Sequence, residues 1–332
     1  MRVLRCNAQP TPQVAKGPAV ADTPGGVNGE ASRSAGTEDT DRDDLERLSE
    51  ALLTAVEEDI DERTGDDSDA LPDAAVTALK VLRRVGIEFV HRYHRLDIEG
   101  DFTSSEPVLF VANHGFGGVF DLNLLAIFAA FDRLNLDRPV TVLTHELFWT
   151  LKVGPLIEAL GCRPANWDNA RAAFREGHHV LVLPGGDVDA FKSFGDRNKI
   201  VFAGRTGFAR LAMETGQPIV PIVTIGAGES LFVISDGQRL ARALRLDKTL
   251  RTKALPVSVS LPWGLNVGAV GLLPYLPLPT KLTTRVLPAL SPRTAESPTQ
   301  FATRVEIEMQ HALSAMAEER RFAGRASNTT EA

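Results

Sequence analysis

Cysteine is scarce in this chain of 332 residues: Cys6 and Cys162 are the only two. A single distant pair makes no disulfide framework and fits a reducing compartment. No uninterrupted apolar run reaches the roughly 18 residues that a spanning helix needs, and no apolar segment of a secretory leader opens the chain. A soluble or peripheral protein is expected. The Gly-Lys-Ser/Thr ending of a P-loop is missing. So is the Gly-x-Ser-x-Gly elbow, which weakens any serine-hydrolase reading. His91, His94, His145, His178, His179 and His311 form no set with metal-ligand spacing, so no metal is expected.

Charge is present but uneven. The net charge is −7, yet Glu38 to Asp69 alone holds 15 acidic and 3 basic residues. Residues 70–332 hold 29 basic and 26 acidic residues, a mildly basic balance. That is too weak to argue for nucleic acid, although it would not repel an anionic membrane or cofactor. The acidity belongs to an extension.

Residues 1–40 are rich in Ala, Gly, Pro, Ser and Thr and are expected to be disordered. In 41–70, Leu45, Leu48, Leu52 and Val56 recur at helical spacing ahead of an acidic linker. The main domain is expected over 71–322, with a disordered tail at 323–332. Pro72-Asp73 opens a helix through about Val90, with Val76, Leu79, Leu82 and Ile87 as inward positions. Its cations Lys80, Arg83, Arg84, Arg92 and Arg95 could face lipid headgroups or merely water. Strands are then expected near 94–98, 107–112, 139–144, 179–184, 218–225 and 283–288. Helices are expected near 121–132, 145–160, 168–176 and 205–215. This alternation predicts an α/β fold with a mainly parallel central sheet flanked by helices. A last amphipathic helix, about 298–320, carries Phe301, Val305, Ile307, Met309, Leu313 and Met316.

The chain is organised around Val108-Leu-Phe-Val-Ala-Asn-His-Gly-Phe-Gly-Gly-Val-Phe-Asp121. Val108 to Ala112 reads as a buried strand. It stops at Asn113-His114, passes Gly115, Gly117 and Gly118, and reaches Asp121 at the start of an apolar helix. A histidine at the carboxyl end of a strand is where α/β proteins tend to place chemistry. Its imidazole can take a proton near neutral pH, and a carboxylate can fix its tautomer. The alternative for Asp121 is a plain helix cap, and for the glycines a tight turn.

Val180-Leu-Val-Leu-Pro-Gly-Gly-Asp187 is a second strand ending in a glycine loop, which suits either an anion or a simple turn. Asp187 and Asp189 without further ligands are weak evidence for a metal. Lys192, Arg197, Lys199 and Arg205 could hold phosphates or be solvated loop charges. The prolines of Pro218-Ile-Val-Pro-Ile222 suggest an edge or irregular strand. Leu255 to Leu290 is apolar and dense in Pro and Gly, too broken to span a bilayer. Trp263 and Tyr275 there suit a membrane interface, with a buried structural loop as the competing account.

Taken together, residues 90–290 resemble the glycerolipid acyltransferase superfamily, the PlsC-like lysophospholipid acyltransferases. Asn113-His114 followed by Asp121 looks like the family's catalytic block. Glu146-Leu-Phe-Trp149 through Gly154-Pro155 and Leu160-Gly161 resembles the block that shapes the acceptor pocket. Leu183-Pro-Gly-Gly-Asp187 is similar to the third block and Pro218-Ile-Val-Pro-Ile222 to the fourth. Two departures stand out: six residues rather than four separate His114 from Asp121, with Val119 at the usual Asp position, and Gly185 replaces the usual Glu. The Pro-Gly-Gly form, with Asp189-Ala190 and Gly207-Phe-Ala-Arg210, is more similar to the branch that acylates neutral alcohols, such as diacylglycerol acyltransferases and phytyl-ester synthases.

The resemblance implies acyl transfer from acyl-CoA, a co-substrate rather than a resident cofactor, to a lipid hydroxyl. His114 would be the general base and Asp121 its orienting carboxylate. Asn113, Gly117, Gly118, Phe148, Gly185, Gly186, Asp187, Arg197 and Arg205 would bind substrates. The implied partners are acyl-CoA, a lipid acceptor and the cytoplasmic surface of a membrane, met peripherally through 255–282, with no nucleic acid. A non-catalytic lipid-binding relative and a lipid esterase are the competing classes.

Overall fold

The computed structural model describes residues 73–115, 121–150, 152, 154–244, 255–261, 263–268 and 276–330. All belong to one unit, Ala55–Ala332. The extension expected over 1–70 lies outside the described residues.

Strand β2 (Leu109–Ala112) is apolar without alternation because it is buried on both faces. It lies at the middle of a seven-stranded sheet ordered β1-β10-β6-β2-β5-β3-β4. The other strands are β1 (Asp97–Glu99), β3 (Val140–Thr144), β4 (Cys162–Pro164), β5 (His179–Val182), β6 (Ile219–Ile225) and β10 (Thr283–Val286). Every pairing is parallel except β10 with β6. The expected α/β class and mainly parallel sheet are what is found.

Two helical layers cover the sheet. Leu109, Val111, Val180, Ile219 and Val223 point to one face. They meet α5 (Trp167–Arg175), α7 (Gly207–Thr215) and α9 (Pro298–Thr330). Phe110, Ala112, Leu181, Val220 and Ile222 point to the other, against α2 (Leu122–Leu134) and α1 (Asp73–Arg92). In α9, Phe301, Val305, Met309 and Leu313 follow at i, i+4 spacing, and all are fully buried. Each such side chain contributes about 1.5–3 kcal/mol.

Several expectations need correction. Ile307 is exposed, because it lies off the stripe that its neighbours form. Leu82 is exposed too, since α1 packs through Gly86, Ile87 and Val90, with Gly86 tight against Leu125. Arg83 is paired with Asp132 at 2.7 Å and lies over the Phe128 ring. The helix expected over 145–160 is two short ones, α3 (Leu147–Thr150) and α4 (Gly154–Glu158), with Lys152 between them at φ +59°. Helix α9 continues to Thr330, past residue 323 where a tail was expected. Once nucleated by packing, a helix extends at little cost per residue.

Strand β6 is neither an edge nor irregular: it is buried throughout and lies between β10 and β2. Pro221 is tolerated for a local reason. Pairing with β10 runs only from Ile222 to Ile225, and at Pro221 the ladder asks for an acceptor alone, which Leu287 N–H uses at 2.9 Å.

The apolar stretch 255–290 is not simply a loop. Beside β10, it gives β8 (Val257–Ser260) and β9 (Gly264–Val267), which join β7 (Phe232–Ser235) in an antiparallel sheet ordered β7-β8-β9. A short helix, α8 (Gln238–Ala243), follows β7. Tyr275 lies outside the described residues.

Helix α9 opens with a reciprocal capping box. Ser297 Oγ accepts from Gln300 N–H, and Gln300 Oε1 accepts from Ser297 N–H. Just before it, Glu296 is bound by Arg304 at 2.7 Å, with little of either side chain exposed. That guanidinium lowers the Glu296 carboxyl from its ordinary 4.5 to about 2. The folded pKa is depressed, so the contribution is complete above 4.5 and is lost as pH falls through about 2. Melting temperatures measured across that window should fall for the native chain, and the Glu296→Gln variant should show a shallower decline. Parallel curves would remove the pair from the acid response.

Candidate active site

The site lies where β2, β5 and β6 end. The chain leaves β2 toward β3 on one side and leaves β6 toward β10 on the other, so the carboxyl ends of these adjacent parallel strands flank a switch in winding direction. Crevices of that kind are where open α/β sheets hold ligands.

Asn113 is the first residue beyond β2, and its side chain extends the sheet. Its Oδ1 accepts from Thr224 N–H at 2.9 Å, and its Nδ2 donates to Thr224 O at 3.0 Å. A side-chain amide thus continues the β2–β6 ladder for one step. Asn113 is buried, with both functions of its amide used for pairing. In α2, Asn123 Nδ2 donates to Asn113 O at 2.9 Å, tying the same residue to the helix.

His114 follows. Its Nδ1 lies 2.9 Å from Asp121 Oδ2, with side-chain exposures of 20% and 13%. An ionised carboxylate only accepts, so Nδ1 carries the proton and Nε2 holds the free lone pair. The other oxygen, Asp121 Oδ1, accepts from Asn123 N–H at 2.9 Å and Leu124 N–H at 3.2 Å. Cap and imidazole partner, the two readings of Asp121, coexist in one carboxylate. The amino end of α2 also favours negative charge there.

The backbone of His114 is held separately. Its N–H donates to Asp189 Oδ2 at 2.7 Å. Asp189 is fully buried in α6 (Gly186–Ala190), and its Oδ1 accepts from Lys192 Nζ at 2.7 Å and Val201 N–H at 3.2 Å. Three donors thus converge on one carboxylate. Gly115 has no room for a side chain: a Cβ there would sit 2.5 Å from the Ala227 methyl and 2.6 Å from Asn123 Oδ1.

The remaining candidates divide. Gly185 is fixed by packing, since a Cβ would lie 2.1 Å from Asp189 Cβ and 2.6 Å from Val201 O. Arg205 closes the same loop, donating to the carbonyls of Pro184 and Gly185 and to Asp187 Oδ1 at 3.0 Å. Gly186, at φ +51°, lies against that guanidinium. Arg197 lies 4.2 Å over the Phe194 ring, donates to Phe194 O, and approaches Glu229 at 3.9 Å. The arginines expected to hold phosphates thus have partners within the protein. Phe148 is exposed on α3, beyond β3 and two strands from β2. Gly117 and Gly118 lie outside the described residues. Burial pushes the Cys162 thiol up to about 12, which keeps it out of thiolate chemistry. Among the described residues no three metal-ligating side chains cluster.

Two of the residues that hold the site were not assigned to it from the sequence. Asn123 is a lone amide in an otherwise apolar helix, a signal that was there to read. Asp189 stands in the sequence as a weak metal ligand and as part of the branch's pattern, and nothing near it in the chain shows that His114, 75 positions earlier, is its partner.

Residues 87–225 match the model of the acyltransferase family. An uncharacterized protein of Mycobacterium tuberculosis is 29% identical over 196 residues, which cover 58% of this chain and 51% of the relative. Phytyl ester synthase 2, chloroplastic, of Arabidopsis thaliana is 27% identical over 161 residues, 46% of this chain and 22% of that protein. The chain therefore spans about half the length of the mycobacterial relative. Among solved structures, the 1-acyl-sn-glycerophosphate (LPA) acyltransferase PlsC from Thermotoga maritima aligns over 73% of this chain and 81% of that one, with a TM-score of 0.45 and 16% identity. The segment that matches the acyltransferase family runs from α1 to the end of β6 and contains His114, Asp121 and Asp189, so it is over this stretch that the chain is similar to that family.

Proposed function

We propose that this protein moves a fatty acyl group from acyl-CoA to the hydroxyl of a lipid, at the cytoplasmic surface of a membrane. The observation that carries the reading is the His114–Asp121 contact of 2.9 Å at the end of the central strand. His114 Nε2 takes the acceptor's hydroxyl proton as the oxygen attacks the thioester carbonyl. Asp121 steadies the imidazolium that results. When the tetrahedral adduct collapses, the carbon–sulfur bond breaks and the thiolate recovers the proton from His114. An ester and a free thiol leave, and no acyl-enzyme forms.

A neutral alcohol fits the acceptor better than a phosphate-bearing one. Gly185 stands where the commoner family form has a glutamate, and Arg205 is already engaged by the loop carbonyls and Asp187. The likeness to a phytyl ester synthase points the same way. No described helix is long and apolar enough to cross a membrane, so peripheral contact is the form proposed.

The test is a matrix of donors and acceptors. Labelled acyl-CoA or acyl-carrier protein is incubated with the purified chain and with diacylglycerol, a long-chain alcohol or lysophosphatidic acid. Ester formed from acyl-CoA and the neutral alcohols is the expected product. Exclusive labelling of lysophosphatidic acid would overturn the neutral acceptor, and ester from neither donor would overturn the activity.

A further inference from the structure

The small sheet β7-β8-β9 wears its apolar side outward. In β8, Ser258 and Ser260 are buried while Val259 between them is exposed. In β9, Leu265 and Val267 are exposed, Leu265 by 67%. Register aligns Phe232 with Val259 and Val259 with Leu265, so three strands contribute to one continuous row. Ile234 and Val267 widen it, and Trp263 is half exposed in the connection from β8 to β9. Alternation in a half-buried sheet ordinarily turns the apolar residues inward. A contiguous outward face of this kind marks a surface that meets something apolar.

Charge identifies the occupant. Residues 236–256, which join β7 to β8, contain six lysines and arginines against two aspartates. Arg239 and Arg242, on α8, are exposed. A second copy seated on this face across a twofold axis would bring two such cationic segments together. An anionic bilayer would instead neutralise them while its acyl region receives the apolar row.

We infer that the outward face of β7-β8-β9 docks the protein onto an anionic lipid bilayer, with Arg239 and Arg242 of α8 as its electrostatic contact. The face is joined to the catalytic end of the sheet. Phe232 packs on Phe194 at 5.1 Å, and β7 begins five residues after Ala227, the residue that abuts Gly115. A lipid acceptor would be drawn from the same surface on which the protein docks. This deepens the lipid-acceptor reading and rests on it only for that last step.

Sedimentation with phosphatidylcholine vesicles, with and without phosphatidylserine, tests the docking apart from turnover. The full chain is expected to bind, and to bind more tightly when phosphatidylserine is present. The double variant Val259→Asp, Leu265→Asp should lose about tenfold or more in binding to both vesicles. Its rate on a water-soluble short-chain alcohol should stay unchanged. Arg239→Glu with Arg242→Glu should erase the preference for phosphatidylserine and spare the rest. If the aspartates unfold the sheet, Val259→Ser with Leu265→Ser carries the same expectation. Unchanged vesicle binding by a folded variant overturns the docking face, as does a native dimer that the variant splits. Normal vesicle binding with no ester formed would leave docking standing and remove the acyltransferase reading instead.

Discussion

His114→Ala is expected to lower acyl transfer by about 10²–10⁴-fold, the usual contribution of a positioned base. The fold should barely notice. The imidazole makes one side-chain hydrogen bond, to Asp121, and keeps a fifth of its surface in solvent. The strand end is held by Asn113 and Asp189 instead, and neither bond uses the imidazole. Initial rates with labelled thioester, beside circular dichroism and vesicle binding of the same preparation, separate chemistry from folding. A variant that keeps a rate within about threefold of the native protein would remove His114 as the base.

Asp189→Ala should damage both stability and rate. The carboxylate is fully buried and faces the nearly buried ammonium of Lys192. Removing one member of a buried pair leaves the other charge uncompensated, at a cost of about 3–5 kcal/mol. Two backbone N–H groups, those of His114 and Val201, lose their acceptor as well. Urea denaturation should therefore show a large drop in midpoint. The informative comparison is Asp189→Leu with Lys192→Met, which empties the pair of charge. Much of the stability should return, because an apolar replacement can match a buried ion pair. The rate should not, because His114 N–H still lacks its anchor. Full recovery of the rate would make Asp189 a purely structural residue.

The parts legible in the sequence are those whose signal is local. The six expected strands of the large sheet appear, and β2 and β6 show why most clearly: buried throughout, each prints an apolar run at its own position. The His-Asp pair was legible for a similar reason: strand, glycine loop and helix cap occur in one short segment. Misreadings arose where the deciding contact was distant. Pro221 looked like an edge residue because nothing in the chain shows that β10 stops pairing beside it. Asp189 is not legible as a support of His114, because that partner follows a strand far from it in the chain. The glycine loop suits an anion or a simple turn from sequence alone, and the crowding of Gly185 by Asp189 and Val201 is a further reason for glycine that only the fold reveals. Strands β8 and β9, inside the stretch that suggests a membrane interface or a buried loop, are not legible because each has only four residues and presents its apolar side outward.

One consequence concerns substitution at position 113. The group there must both give and take a hydrogen bond opposite Thr224, at the reach of one methylene. Aspartate offers no donor, leucine offers neither, and glutamine is a carbon too long. A substitution at this site is therefore expected to loosen the seam between the end of β2 and β6, whatever else it does.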